Sequence, residues 1–260
     1  MDPDTIAMIS FTTDYGLSDG FVASCHGVLA VRAPQARILD ITHLIPPGDV
    51  RRGAAILAQT VPSLPRAVHL AVVDPGVGTA RRPIALATPG GYLVGPDNGL
   101  LLPAAEALGG VTTAVHLTNR SWFADEVSAT FHGRDIFAPV AAHLFAGATL
   151  RDAGEEITDP VKLPPLYVEQ APGRLVSDVQ TVDHFGNVQL AAPAEALAQL
   201  PASVEVNGSP ARKTTTFGGA EPNTLLVFAD SAGFVAVAVN GGNAATRLSA
   251  TLGSRLTITY

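Results

Sequence analysis

Hydrophobic residues in the first half of the chain follow two alternating patterns. Short runs rich in β-branched residues predict strands, and longer segments with apolar positions every three or four residues predict helices between them. The predicted strands cover residues 6–11, 38–41, 67–73, 84–87, 92–94 and 113–117, and the predicted helices cover residues 20–31, 50–59, 100–108 and 134–145. This alternation is typical of an α/β layered domain with a mostly parallel sheet.

The second half of the chain has a different pattern. Periodicity stops between residues 152 and 173, where four prolines occur, and this indicates a connector. Short strand-like runs then follow at residues 175–182, 204–206, 225–228, 234–239 and 256–260, which predicts a smaller all-β, barrel-like domain. We therefore predict an N-terminal α/β catalytic domain over residues 1–155, a linker over 156–173 and a C-terminal β-barrel domain over 174–260.

Composition narrows the class of partner and the compartment. Charged residues make up 15% of the chain, against roughly 25% in typical soluble domains, so we expect surface buried between subunits. The net charge of -7, without clustered Lys and Arg, argues against nucleic acid. The lone Cys25, an acidic start unlike a signal peptide and the lack of a long apolar run favour a cytoplasmic protein away from membranes.

Two polar segments follow predicted strands of the first half. Asp14 and Asp19 come after the first strand, where ligands bind in open parallel sheets, so either carboxylate could bind ribose hydroxyls or a metal. For Asp19, capping of the next helix is an equally good interpretation. Asp74 and Arg81 flank a glycine-rich loop after the strand at 67–73, which favours a site over the ordinary surface ion pair.

His132 directly precedes the apolar run of the helix predicted at 134–145. The positive end of a helix dipole favours a neutral imidazole, which can accept a proton. On this segment alone, a capping or packed histidine is the commoner interpretation. The remaining six histidines are interpreted as structural or surface residues: His26, His43, His69, His116, His143 and His184.

The second half offers one further candidate cluster. Asp183, Phe185 and Asn187 supply a carboxylate, an aromatic face and an amide within five residues, a set that suits a zwitterionic ligand carrying a base. A turn between strands is the commoner use of such residues. The segment 239–245, which contains Asn243 and Ala244, would bring backbone close to a flat ligand or merely cap a strand.

Taken in order, these segments resemble the S-adenosyl-L-methionine hydroxide adenosyltransferases, relatives of the fluorinase and the chlorinase. The matching segments are the Asp14 loop, residues 40–47, the Asp74 loop, residues 95–101, the His132 segment, the Asp183 turn and residues 242–245. The resemblance implies hydrolysis of S-adenosyl-L-methionine to adenosine and L-methionine, with no metal or other cofactor. It also implies a homotrimer whose sites lie between one subunit's first domain and its neighbour's second domain.

The resemblance also assigns roles to residues. It implies a catalytic set of Asp74, Arg81 and His132. It further implies a substrate-binding set, in which Asp14 binds the ribose diol, Asp183 the methionine ammonium, Phe185 forms an aromatic wall, Asn187 and Ala244 read adenine, and Asp19, Ser231 and Asn243 complete the group.

The chain departs from the halogenases at three positions. Gly48 replaces an aromatic residue, Ala232 replaces an arginine after Ser231, and Asp74 replaces the tyrosine that opens the corresponding loop. The last change places a carboxylate near the nucleophile. Two functions of other classes remain open: a metal-dependent nucleosidase or phosphohydrolase using Asp14, Asp19, Asp40 and His43, and a non-catalytic sensor of adenosine or S-adenosyl-L-methionine.

Overall fold

The chain divides into two compact units. The computed structural model describes residues 5–260, and the units are Met1–Leu163 and Pro164–Tyr260. The division falls inside the segment predicted as a linker, residues 156–173. Residues 168–171 of that segment form a strand that belongs to the second unit, so this unit begins earlier than the sequence pattern indicates.

The first unit is built on a seven-stranded sheet in the order β2-β1-β3-β5-β4-β6-β7. The first four strands in this order pair in parallel, whereas β4, β6 and β7 extend the sheet through antiparallel pairs. Its strands are β1 (Met8–Thr13), β2 (Ile38–Thr42), β3 (Ala67–Val72), β4 (Pro83–Thr88), β5 (Gly91–Pro96), β6 (Thr113–Leu117) and β7 (Gly154–Glu156). The predicted sheet is confirmed, with its parallel half at the start of the chain.

Helices cover both faces of this sheet. They are α1 (Phe21–Arg32), α2 (Val50–Thr60), α3 (Leu102–Ala107) and α4 (Ala138–Phe145). Alternate residues of each strand point to opposite faces, so Leu70 packs with α1 and α4 while Ala71 packs with α2 and α3. No helix within the described part of the chain, residues 5–260, is long and apolar enough to cross a bilayer.

The helix predicted over residues 134–145 has two kinds of winding. Residues Gly133–Phe137 form a π-helical turn, and α4 continues from Ala138, whose N–H donates to the carbonyl oxygen of Gly133 five residues earlier. The carbonyl oxygen of Asp135 accepts a hydrogen bond from the Ala124 N–H at 2.8 Å, because the residue four positions later is Pro139, which has no N–H to offer. Turns of this kind occur frequently at functional sites, and here His132 directly precedes the turn.

The second unit is a closed seven-stranded barrel with an eighth strand outside it. Pairing runs β10-β14-β13-β12-β11-β15-β9, and antiparallel pairing of β9 with β10 closes the ring, while β8 adds to the outer edge of β9. Its elements are β8 (Val168–Ala171), β9 (Arg174–Val182), β10 (Val188–Pro193), β11 (Ser203–Val206), β12 (Ser209–Lys213), β13 (Leu225–Ala229), β14 (Phe234–Val239), α5 (Ala244–Leu248) and β15 (Arg255–Thr259). The predicted barrel is confirmed, although the sequence pattern missed β8, β10 and β12.

Candidate active site

Loops at the carboxyl ends of the parallel strands surround a cavity of about 170 Å³ in the first unit. Such an edge is where ligands bind in open α/β sheets. Three of the predicted site residues line it, one from the loop after β1, one from the loop after β3 and one from the segment before the π-helical turn. The lining includes Asp14, Asp74 and His132, together with Tyr15, Gly48 and Gly133.

Asp74 and Arg81 form a buried, two-point ion pair. Nε of Arg81 donates to Oδ1 of Asp74 at 3.0 Å, and Nη2 donates to Oδ2. The two side chains are only 5% and 7% exposed, which differs from the surface pair that was the alternative interpretation. Gly78 shapes the loop between them, because its φ is +77° and a Cβ there would lie 2.4 Å from the carbonyl oxygen of Ala129.

His132 joins this pair through Arg81. Nη2 of Arg81 lies 3.1 Å from Nδ1 of His132. Because a guanidinium can only donate, Nδ1 must carry the lone pair, and a neutral ring therefore has its proton on Nε2. Burial lowers the pKa of His132, and the charge of Arg81 lowers it further. The predicted neutral ring agrees with this direction, but burial is the main cause rather than the helix end.

The hydrogen-bonding capacity of the Arg81 guanidinium is not fully used. Its Nη1 is buried and has no hydrogen-bond partner among residues 5–260. The guanidinium carbon lies 5.3 Å from the centre of the Phe137 ring, so the face of the group is covered. An unpaired buried N–H is costly, and a bound ligand atom that accepts from Nη1 would remove that cost.

Asp14 is fixed by backbone on the neighbouring loop. The Gly48 N–H donates to Oδ2 of Asp14 at 2.8 Å, and Gly48 has a φ of +73°. Burial raises the pKa of the Asp14 carboxyl, and the negative charge of Asp74 adds to the rise, while the Gly48 hydrogen bond opposes it. Gly48 therefore contributes a backbone donor at the position where the halogenases carry an aromatic residue.

Tyr15 was missed by the sequence analysis. Its ring packs against Phe21 and Phe131 with centroids 6.0 and 5.8 Å apart, and its hydroxyl occupies the space beside Gly133. A Cβ on Gly133 would lie 2.1 Å from that oxygen. Burial raises the pKa of Tyr15, so the phenol stays protonated and able to donate. The signal available in the sequence was Gly133, directly after His132, because a glycine there leaves room for another side chain to come close.

Asp19 lies apart from these contacts. It is exposed, and the N-cap of α1 is Gly20 with no side-chain cap hydrogen bond. The capping interpretation of Asp19 is therefore wrong. Its predicted part in substrate binding stays a prediction.

In the second unit, Asp183 organises its own turn. Oδ1 accepts from the N–H groups of Phe185 and Asn187 at 2.9 and 2.8 Å, and Oδ2 accepts from Nδ2 of Asn187 at 2.7 Å. This is the turn role that was the commoner interpretation. Phe185 is held 73% exposed, which leaves its aromatic face available to a ligand.

The Asp183 turn packs against the start of α5. A Cβ on Gly186 would lie 2.2 Å from the side chain of Asn243, and the Ala245 N–H donates to the Gly186 carbonyl at 2.9 Å. Asn243 caps α5 by accepting from Thr246 N–H at 2.7 Å, and Ala244 is buried. The structure therefore brings these two predicted segments together.

Ser231 lies on a different turn, between β13 and β14, where it is exposed. The side chain of Asp230 holds this turn by accepting from the N–H groups of Ala232 and Phe234, each at 2.9 Å. Gln189, two residues after Asn187, donates to Asp230 and links the two turns. Ala232, which follows Ser231, adds no charged side chain to this turn.

Comparison with known proteins identifies the family. Residues 9–154 match the model of the SAM hydroxide adenosyltransferase N-terminal domain, and residues 177–257 match that of the C-terminal domain. The chain belongs to the SAM hydroxide adenosyltransferase family. An (R)-S-adenosyl-L-methionine hydrolase of Salinispora tropica is 65% identical over 254 residues, covering 96% of this chain and 97% of the relative.

Two further matches have lower sequence identity. A crystal structure of an uncharacterized conserved protein from Thermotoga maritima has a TM-score of 0.90 at 38% identity, covering 96% of this chain and 100% of the other. A fluorinase of an Actinoplanes species is 30% identical over 209 residues, with 70% of each chain covered. The resemblance to this family is confirmed, with the fluorinase as a more distant relative.

Proposed function

We propose that this chain hydrolyses S-adenosyl-L-methionine to adenosine and L-methionine. One observation carries the proposal: Asp74, Arg81 and His132 form a connected, largely buried group beside the cavity that Asp14 also lines. Two relatives, at 65% and 40% identity, are named as (R)-S-adenosyl-L-methionine hydrolases, which supports the same reaction. Of the two alternative functions, a non-catalytic sensor would not require the group formed by Asp74, Arg81 and His132.

The reaction is an in-line displacement at the 5′ carbon of the ribose. The oxygen of water forms a bond to this carbon as the carbon–sulfur bond breaks, and the bonding electrons pass to sulfur. The sulfonium thereby becomes the neutral thioether of methionine. Because the substrate's own positive charge activates the carbon, the protein has chiefly to position and desolvate the water.

The proton of the water passes to Asp74 in this proposal. Nδ1 of His132 is already occupied by Arg81, so the neutral ring offers only the Nε2–H as a donor. Asp74 is the acceptor, and each of its oxygens keeps a lone pair beyond those used by Arg81. A carboxylate is basic enough, because oxygen attack on carbon produces a strongly acidic protonated alcohol. The permanent positive charge of Arg81, held beside Asp74 and His132, is suited to stabilise the attacking oxygen as it loses its proton.

We propose that Asp14 binds the two ribose hydroxyls. The Gly48 N–H fixes Oδ2, which leaves Oδ1 and the remaining lone pairs for the diol. Tyr15 faces the same cavity and remains a phenol, so it is a further donor for a ribose or nucleophile oxygen. No metal or other cofactor is needed for this step, since the leaving group is activated in the substrate.

We propose that the active form is a homotrimer in the cytoplasm, with Asp183, Phe185, Asn187, Ser231, Asn243 and Ala244 serving a neighbour's site. The cavity of about 170 Å³ is smaller than the roughly 300–1,000 Å³ of ordinary small-molecule sites, so it fits only part of the substrate. The low charge content agrees with surface buried between subunits. Light scattering should give three chains per particle, and a fully active monomer would refute the arrangement.

The test of the reaction is product analysis. Incubation with S-adenosyl-L-methionine should yield adenosine and L-methionine in equal amounts, and ¹⁸O-labelled water should place the label on the 5′ hydroxyl. The Asp74→Asn protein is the matched control for contaminating activity. Release of adenine or methylthioadenosine, or adenosine without label, would refute the displacement by water.

A further inference from the structure

Three side chains outside the cavity converge between α1 and β2. Nε2 of His26, on α1, lies 2.9 Å from Oδ1 of Asp40, on β2. Nε2 of His43, just after β2, lies 3.1 Å from the same oxygen. All three ligand atoms fall within 4.8 Å of one another. Asp14 and Asp19, which the sequence analysis joined with Asp40 and His43 as a metal alternative, are not part of this cluster.

Residues of β1 hold the two histidines of the cluster in place. Nδ1 of His43 lies 2.9 Å from the hydroxyl of Thr13, and that hydroxyl also accepts from the Tyr15 N–H at 3.1 Å. The ring of Phe11 packs edge-on against His43 at 4.8 Å and tilted against His26 at 5.8 Å. If the remaining lone pair of Thr13 accepts from Nδ1–H, the lone pair of Nε2 points at the cluster. Such a second hydrogen bond is how proteins orient metal-binding histidines.

His43 is the least exposed of the three and has an unused nitrogen. The residue is only 4% exposed, yet its Nε2 has no aligned hydrogen bond to any residue between 5 and 260. Its 3.1 Å approach to Asp40 is therefore a close contact between a nitrogen and a carboxylate oxygen that lacks hydrogen-bond geometry.

The chemistry of this group matches a borderline divalent metal. Two imidazole nitrogens and one carboxylate oxygen are ligands that zinc takes at about 2.0–2.2 Å, which places tetrahedral ligand atoms roughly 3.3 Å apart. The nitrogen–oxygen separations of 2.9 and 3.1 Å are close to that spacing. The side chains of His26 and Asp40 are 36% and 41% exposed, so water has access to the fourth position.

We propose that His26, Asp40 and His43 bind one divalent transition-metal ion of the zinc type, which ties α1 to the end of β2. The site is separate from the reaction, because none of its three ligands lines the cavity that holds Asp14, Asp74 and His132. The hydrogen bond between His43 and Thr13 places the site next to the loop that carries Asp14. Its role is therefore stabilisation of this part of the fold.

The test uses the full chain without a histidine tag, freed of metal by a chelator that is then dialysed away. Cobalt(II) titration followed by visible absorption, and zinc titration by calorimetry, should each show one ion per chain. Zinc should also raise the thermal midpoint. His26→Gln, which removes the imidazole ligand on α1, and Asp40→Asn should each weaken affinity at least tenfold, since loss of even an outer hydrogen-bond partner of a ligand costs roughly 10- to 100-fold.

His184→Gln is the matched control, because His184 is an exposed histidine on the second unit and should leave affinity unchanged. Absence of saturable binding, or equal binding by the wild-type and His26→Gln proteins, would overturn the site. The chelated protein should still hydrolyse S-adenosyl-L-methionine. Loss of turnover that returns with zinc would overturn the separation of the site from the reaction, whereas failure of hydrolysis under all conditions would refute the proposed function and leave metal binding standing.

Discussion

The Asp74→Asn variant tests two roles of the buried Asp74 charge, which are stabilisation of the fold and acceptance of a proton in the reaction. The substitution keeps the size of the side chain but removes the negative charge that faces Arg81, whose side chain is only 7% exposed. Breaking a buried ion pair by neutralising one partner costs about 3–5 kcal/mol, because the other charge stays buried without compensation. At about 2–4 °C per kcal/mol for a chain of this size, the thermal midpoint should fall by roughly 6–20 °C. Loss of the proton acceptor should lower turnover about 10²- to 10⁴-fold.

Calorimetry and product assays on four proteins test this reasoning. The double variant Asp74→Leu with Arg81→Met removes both charges, so it should recover much of the stability and none of the turnover. Glu156→Gln is the control for an exposed pair, because Arg151 and Glu156 are 64% and 49% exposed and such pairs contribute about 0–1 kcal/mol. If the double variant is no more stable than Asp74→Asn, the stranded charge is not the cause. Turnover of Asp74→Asn within tenfold of wild type would remove Asp74 from the mechanism.

Four further outcomes are expected. Asp14→Ala should weaken substrate binding by about 1.5–3 kcal/mol, or roughly 10- to 150-fold in Kd by calorimetry, and unchanged binding would remove Asp14 from the ribose. Gly133→Ala should displace the Tyr15 hydroxyl, since the new Cβ would lie 2.1 Å from it, and should raise KM more than the same change at Gly27, where a new Cβ would have no neighbour within 4 Å. The pKa of His132 is lowered from 6.5, so the ring stays neutral until pH falls through that lower value, and kcat/KM should fall only below pH 6.5. His132→Gln should remove the histidine's part of this acid limb and leave the part due to protonation of Asp14. Molar chloride should give no 5′-chloro product by mass spectrometry, because water can donate a hydrogen bond to the Asp74 carboxylate and pass its proton there, whereas chloride has no proton to donate; chlorinated product equal to adenosine would contradict this role.

The elements that the sequence predicted well are those with strong hydrophobic patterns. The strand ending at Thr13 and the helix Val50–Thr60 lie within two residues of their predicted bounds. The strands that were missed lack such a pattern. β12 reads Ser-Pro-Ala-Arg-Lys, and it forms because β11 and β13 supply hydrogen-bonding partners on either side. Pairing of this kind depends on the closed barrel and leaves no trace in local hydrophobicity.

The candidate site shows the same division. Asp74 was identified because it follows a strand, Arg81 because the glycine-rich loop brings it within reach of Asp74, and His132 because it precedes a helix. Their burial and the shared hydrogen bonds of Arg81 depend on packing between segments 51 residues apart, which no local pattern encodes. Tyr15 was missed for a related reason, since its hydroxyl lies near the cavity only because position 133 has no side chain.

The π-helical turn at Gly133–Phe137 makes the length of this segment a property of the site. Relative to ordinary winding it accommodates one additional residue, so a chain shortened by one residue there would return to 3.6 residues per turn. Every side chain before the deletion would then rotate by about 100° around the helix axis, and His132 would turn away from Arg81 although both residues are still present. We therefore expect insertions and deletions within residues 133–137 to abolish activity more often than many substitutions do. An alignment of related sequences that shifts a gap across this segment would match histidines that do not occupy the same place in the structure.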